Sequence, residues 1–421
     1  MSTTRSEGGV AGTLDQLATL TPDTRDRYMD FLRAASILAV VFGHWLISVI
    51  TWHGGVITTT SAIGVTRGLW LATWVFQVMP IFFFVGGFSN VVAYDSNRRK
   101  GGSDWDFVRA RLQRLLRPSA ILLGIWVVIQ VVLHLANIGK PTGPELWGHT
   151  HLLRGVYPPG ATLPFGPLWF LGVYMVVVTF SPFTIRLHRR FGWRVPVLLA
   201  LGAVAADVIG FGFNLHFVRY ANIVFVLLFP HQLGHFYADG TLQRLSARAK
   251  WAMVIGGLGT LVLLTNPWFF QWIGGASRFS WFPGIGYYPR SLLGTDVEQI
   301  SNAYPPTLCY LAVGVWQIGA VLLLREPATA WLQKARAWKG TILVNTIVMT
   351  LFLWHMTAFL IAILILWPLG LGRGHSDARW WLERFVWIGV PAVILVGLVA
   401  VFGRFERPRV TPTRSSPAAS T

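Results

Sequence analysis

Long apolar runs, separated by short polar or basic segments, set the pattern of this chain. Ten of them fall at roughly 31–51, 69–94, 119–138, 166–185, 195–213, 217–237, 251–270, 305–325, 342–367 and 385–403. A helix needs about 20 mostly apolar residues to cross a bilayer, and the runs approach or exceed that length. Backbone groups in lipid must be satisfied within the protein, which for runs of this kind means helices. The pattern therefore predicts an all-α integral membrane protein, a bundle of about ten transmembrane helices over residues 27–404. Residues 1–26 and 405–421 are polar and rich in Ser, Thr, Pro and Ala, and are expected to be disordered tails. The amino-terminal stretch has no cleavable signal pattern, so the first run reads as a retained span.

Composition agrees: 53% of residues are hydrophobic and only 12% charged, against about 25% in a soluble domain. The net charge of +18 invites a nucleic-acid reading, but the basic residues lie between apolar runs and not on one soluble face. They answer the question of orientation instead. With ten spans and the amino terminus inside, one side holds 25 of the 35 Lys and Arg, in clusters such as Arg98–Arg117, Arg186–Arg194 and Arg325–Lys339. By the positive-inside rule both termini are cytoplasmic. Two long connectors on the opposite side, 139–165 and 271–304, are rich in Pro, Gly, Trp and Tyr; they suit either a cap that stacks on sugars or an aromatic belt at the headgroups. The lone Cys309 says nothing about compartment.

Candidate chemistry begins in the first run. Arg33 and His44 are eleven residues apart, about three full turns, so they share one helix face roughly 16 Å apart along the axis. Ionisable groups at that depth are costly and usually face a cavity or the bundle interior. The same stripe suits a ligand with a polyanionic head and a long arm, such as coenzyme A. Cytoplasmic guanidinium groups would hold the phosphates while the arm reaches towards His44. His355 falls at much the same depth, and it either shares a cavity with His44 or packs beside Trp354. His231 and His235 stand at i, i+4 with no further ligand nearby in sequence, so no metal is expected. Asp207 needs a partner, with His44, His355 and Arg219 as candidates, and its role is either catalytic or structural. Ser103 or Asp104 is a candidate cap for the basic helical segment that follows, and Asp30 reads as a capping residue of the first helix. No G-x-S-x-G elbow, P-loop or dinucleotide fingerprint is present.

The segment DFLRAASILAVVFGHW (residues 30–45) resembles the first-helix signature of the family 3 membrane acyltransferases. PIFFFVGGFSN (80–90), RARLQRLLRP (109–118), PLWFLGVY (167–174) and FLWHMTA (352–358) resemble further pieces in the same order, so the likeness spans nearly the whole chain. It implies that Arg33 and His44 are the family's Arg-x10-His pair, and that Arg111 and Arg114 are its Arg-x-x-Arg pair, with Arg117 beside them, contacting the donor. Read from residues alone, that cluster is also a plain positive-inside patch. Gly86-Gly87 departs from the family's Ser-Gly, which removes a hydroxyl but keeps the close approach that paired glycines permit.

The resemblance further implies an O-acyltransferase without a separate soluble transferase domain. Acetyl-CoA or succinyl-CoA would be its donor, and an envelope glycolipid or polysaccharide hydroxyl its acceptor. Its place would be the inner membrane of a bacterium, in an actinobacterial-type branch, with no metal and no nucleic acid, among membrane lipids. His44 would be the base, with Arg33 and His355 beside it. The alternative is a transporter or flippase, which would commonly show repeated halves that this chain lacks. A receptor or scaffold would leave the Arg33–His44 stripe unexplained. Oligomeric state stays open.

Overall fold

Helices make up most of the protein, as apolar runs of this length require. The computed structural model describes residues 25–53, 56–135, 163–274, 284, 286–293, 302–374 and 377–406; most of both tails and of the connectors 139–165 and 271–304 lies outside them. The main helices are α1 (Arg27–Ile47), α2 (Met79–Arg99), α3 (Asp104–Leu135), α4 (Leu168–Phe191), α5 (Arg194–Gly212) and α6 (Asn222–Ala238). They continue with α7 (Ala247–Leu264), α8 (Leu308–Trp331), α9 (Ala335–Thr346), α10 (Val348–Leu366) and α11 (Ala378–Phe402). Among the described residues, nine helical segments are long and apolar enough to cross a membrane. The remaining expected span is present but divided: a 3-10 turn, His216–Ala221, leads into α6, which has 17 residues.

The bundle is inside-out relative to a soluble protein. Val128, Phe180, Leu198 and Val393 face outward, whereas Asn90, Asp207, His231, His235 and His355 are buried. This is the arrangement lipid selects, because apolar side chains lose nothing there and polar ones must find partners. Helix α1 packs against α2, α8, α9, α10 and α11. Its apolar face, Ile37, Val41 and Trp45, joins Leu353, Phe359 and Trp387 in the largest core. Helices α2 and α6 cross so closely that a Cβ on Gly87 would overlap the His231 carbonyl, and one on Gly234 would overlap the Phe84 carbonyl. This is the close approach expected of the paired glycines.

The basic clusters do gather at one end. Arg186 pairs with Asp104, Arg189 with Asp95 at 2.5 Å, and Arg325 Nε donates to Tyr237, whose hydroxyl donates to Asp26. At the same end Asn345 donates to the Asp30 carbonyl, and Glu406, past the last helix, accepts from Met349 and Thr350. The first helix therefore begins where the last one ends.

Several local expectations are corrected. The cap of α1 is Asp26, which accepts from the Met29 amide at 3.0 Å; Asp30 instead bridges Arg25 and Arg33. Between the two candidates for α3 the cap is Ser103, which exchanges bonds with Asp106 as a capping box. Beyond α1 the chain forms a two-stranded antiparallel pair, β1 (Ser48–His53) and β2 (Val56–Ser61), where the first span was expected to continue to residue 51. The ninth expected span is broken at Ile347 into α9 and α10.

Asp207 bonds to neither histidine. Its carboxylate accepts from Asn222 Nδ2 at 2.8 Å, Tyr288 Oη at 2.8 Å and the Leu308 amide at 3.0 Å, tying α5 to α6 and to the start of α8. Bonds to a charged group are worth roughly 1.5–3 kcal/mol each. Asp207→Ala is expected to destabilise the bundle by about 3 kcal/mol, read as a lower Tm in detergent. An unchanged Tm would deny it this structural role.

Candidate active site

The contact between α1 and α10 sets two histidines ring against ring. His44 Nδ1 lies 2.9 Å from His355 Nε2, with the rings 10° from parallel and centroids 5.1 Å apart. His355 is fully buried and His44 only partly, so His355 backs a histidine that keeps one edge free. Trp45 Nε1 donates to the His355 carbonyl at 3.1 Å, fixing the register of the two helices at this level.

The partners assign the protons. His355 Nδ1 is 2.6 Å from the Phe352 carbonyl, which only accepts, so Nδ1 carries the hydrogen. In a neutral ring Nε2 of His355 then holds a lone pair and accepts from His44 Nδ1–H. His44 Nε2 is left with a lone pair of its own. The chain carbonyl, His355, His44 is thus a relay that ends in a base.

Below this pair lies a cavity of about 120 Å³ lined by Arg33, Arg111 and Arg114, with Ser89, Tyr174, Asn345, Ile37, Phe82, Phe170 and Phe352 among its walls. Arg33 donates to Asp30 at 3.2 Å and to Ser89 Oγ at 2.5 Å. Arg111 donates from Nε and Nη2 to Asn90 Oδ1, at 3.2 and 2.6 Å. Ile37 lies seven residues before His44, roughly 10 Å along α1. Phe352, whose side chain lines the cavity, lends its carbonyl to His355. The arginines therefore stand at the basic end and the histidines just past the opposite wall. Arg117 lies apart from them, in an adjoining groove of about 740 Å³ with Gln113, Phe405 and Glu406; Arg114 borders both spaces.

A family model described as an acyltransferase domain matches residues 26–405. The chain belongs to the family 3 acyltransferases. No curated protein and no solved structure matches it. The protein is thus a multi-pass membrane acyltransferase, and the motifs by which its sequence resembled the family are those the fold assembles here.

Of the six residues that sequence reasoning brought forward, five meet at or border this acyltransferase's central cavity and dyad; Arg117 is displaced to the groove because α3 turns it away from Arg111. That reasoning missed Ser89, Asn90, Tyr174, Asn345 and Glu406. For Ser89 and Asn90 a signal existed, two adjacent polar residues just past Gly86-Gly87 in an apolar span. Glu406 had none. It lies beyond the last span, yet its carboxylate accepts from the amides of Met349 and Thr350 at 2.9 Å and so caps the helix that carries His355. His231 and His235 belong to another buried cluster, with ring centroids 4.9 Å apart and His188 5.4 Å from His235.

Proposed function

We propose that this acyltransferase moves an acetyl or succinyl group from acyl-CoA, bound from the basic end, to a hydroxyl of an envelope glycolipid or polysaccharide, with His44 as the general base. The basic end faces the cytoplasm of a bacterium and the acceptor meets the other side of its inner membrane. The observation that carries this reading is one cavity lined by three guanidinium groups, of which Arg111 is held by a neutral amide, with the histidine dyad just past the wall that Phe352 forms. Three guanidinium groups gathered inside a membrane bundle suit an anionic ligand.

His44 Nε2 takes the proton of the acceptor hydroxyl as its oxygen attacks the thioester carbonyl. The imidazolium formed keeps its Nδ1–H on His355 Nε2. When the tetrahedral intermediate collapses, the C–S bond breaks and the coenzyme A thiolate takes the proton back from Nε2. The ester leaves, and His44 returns to its starting tautomer. Arg111 and Arg114 hold the donor's phosphates, with Arg117 extending the basic surface into the groove, while Arg33 stands between the phosphates and the reacting centre.

Arg111→Ala is expected to raise the apparent donor KM by about 10–100-fold, the worth of one charge-assisted contact, with a smaller effect on kcat. Turnover of labelled acetyl-CoA and succinyl-CoA by purified protein, wild type beside the variant, checks it. Unchanged donor dependence would remove the arginines from donor binding, and activity confined to a donor without coenzyme A would overturn the donor assignment.

A further inference from the structure

Four helices converge on one buried amide. Asn90 of α2 is fully buried among α3, α4 and α6, and each of its hydrogen-bonding positions is filled. Oδ1 accepts from Arg111 Nε at 3.2 Å and Nη2 at 2.6 Å. Nδ2 lies 3.0 Å from Ser181 Oγ and 3.1 Å from His231 Nε2. The orientation is determined, because a guanidinium only donates and must face the oxygen. Ser181 spends its own hydrogen on the Val177 carbonyl at 2.8 Å, so its oxygen is free to accept from Asn90. His231 must present a lone pair at Nε2, which puts its hydrogen on Nδ1.

We propose that Asn90, aligned by His231 and Ser181, is the positioning residue that fixes Arg111 for the acyl donor; this rests on the reading that Arg111 receives the donor's anionic head. The side edge of the guanidinium, Nε and Nη2, is pinned on one oxygen, and the side chain so held lines the cavity beside Tyr174. The anchor is neutral, in contrast to the Asp30 carboxylate that holds Arg33. An amide fixes the position of a guanidinium and leaves its charge for the ligand, whereas a carboxylate would fix it and cancel the charge. His231 supports the orientation that Arg111 requires: with a hydrogen on Nε2 it would confront the Nδ2 hydrogens, and the amide would hold Arg111 only against a clash of donors. The buried histidine of α6 thereby acts on donor binding without touching the donor.

The test measures acyl-CoA dissociation constants and steady-state kinetics for purified Asn90→Leu, Asn90→Asp, His231→Leu and His231→Gln, with Tm in detergent to confirm folding. Asn90→Leu is expected to weaken the donor about tenfold, the worth of a charge-assisted bond, with kcat within about twofold of wild type. Asn90→Asp weakens it as well, although it still binds Arg111. His231→Leu weakens the donor and His231→Gln restores it, because the Gln oxygen also accepts from Asn90 Nδ2. In an Arg111→Ala background Asn90→Leu adds nothing, since Asn90 acts only through Arg111. Additive losses in that double variant, or wild-type donor affinity in Asn90→Leu, would overturn the proposal while leaving donor binding by Arg111 intact. If Arg111→Ala itself keeps wild-type affinity, the donor reading falls and takes the proposal with it. Should Asn90→Leu fail to fold, the contrast between His231→Leu and His231→Gln decides: equal donor affinity in the two would overturn it.

Discussion

His44→Ala is expected to lower acyl transfer by about 10²–10⁴-fold, the usual contribution of a general base, while leaving the folded bundle and donor binding in place. The loss is expected on kcat because in the proposed mechanism Nε2 acts on the reacting hydroxyl, and the arginine cavity lies roughly 10 Å nearer the basic end. His355 offers a graded companion. Its Nε2 accepts from His44 Nδ1, so His355→Leu removes the group that fixes the tautomer, whereas His355→Gln can still accept through its amide oxygen. Activity is expected to fall in the order wild type, Gln, Leu. Full transfer by a well-folded His44→Ala would sink the base assignment, and equal activity of the two His355 variants would deny the relay.

The largest stability effect is expected at the crossing of α2 and α6. Gly87→Ala drives a methyl group into the His231 carbonyl, and Gly234→Ala drives one into the backbone of Phe84 and Phe88. Backbone cannot rotate away as a side chain can. The cost therefore belongs at or above the top of the range for overpacking, about 3 kcal/mol. Either variant should show a sharply lower Tm or fail to purify as a monodisperse species. Gly43→Ala is the matched control: nothing lies within 4 Å of its added Cβ, and Ala favours the helix by about 1 kcal/mol. Equal Tm values for Gly87→Ala and Gly43→Ala would contradict the close crossing.

How far the sequence could be read depended on the range of the signal. Spans come from apolar runs within single helices, and the fold bears them out among the described residues; the Arg33–His44 stripe comes from the same helical spacing, with Arg33 lining the cavity and His44 paired to His355 beyond its wall. The strand pair also had a local signal, two runs rich in Val, Ile and Thr either side of Gly54-Gly55, but the apolar run before it overrode that reading. The break at Ile347 had none, since no Pro or Gly marks it. It is stabilised by Glu406, far along the chain. Asn90 is a similar case. One residue's importance there is set by partners on three other helices, which no window along the chain contains. Asp207 was legible as a buried acid but not as a tie between helices, because its partners lie 15, 81 and 101 residues away.

The relay behind His44 uses an imidazole where a carboxylate would have served in water. A resting carboxylate at this depth would carry an ionic self-energy of several kcal/mol after relaxation, and it would need a permanent counter-ion. The imidazole pair rests with zero net charge and so asks nothing of the low-dielectric surroundings between turnovers. In the proposed mechanism charge appears only while the acceptor's proton is on loan, when the oxyanion formed in the same step stands beside it. An Asp at position 355 would make His44 a stronger base but would bring a standing electrostatic burden, so on the proposed mechanism the neutral dyad exchanges some driving force for a centre that lipid can tolerate.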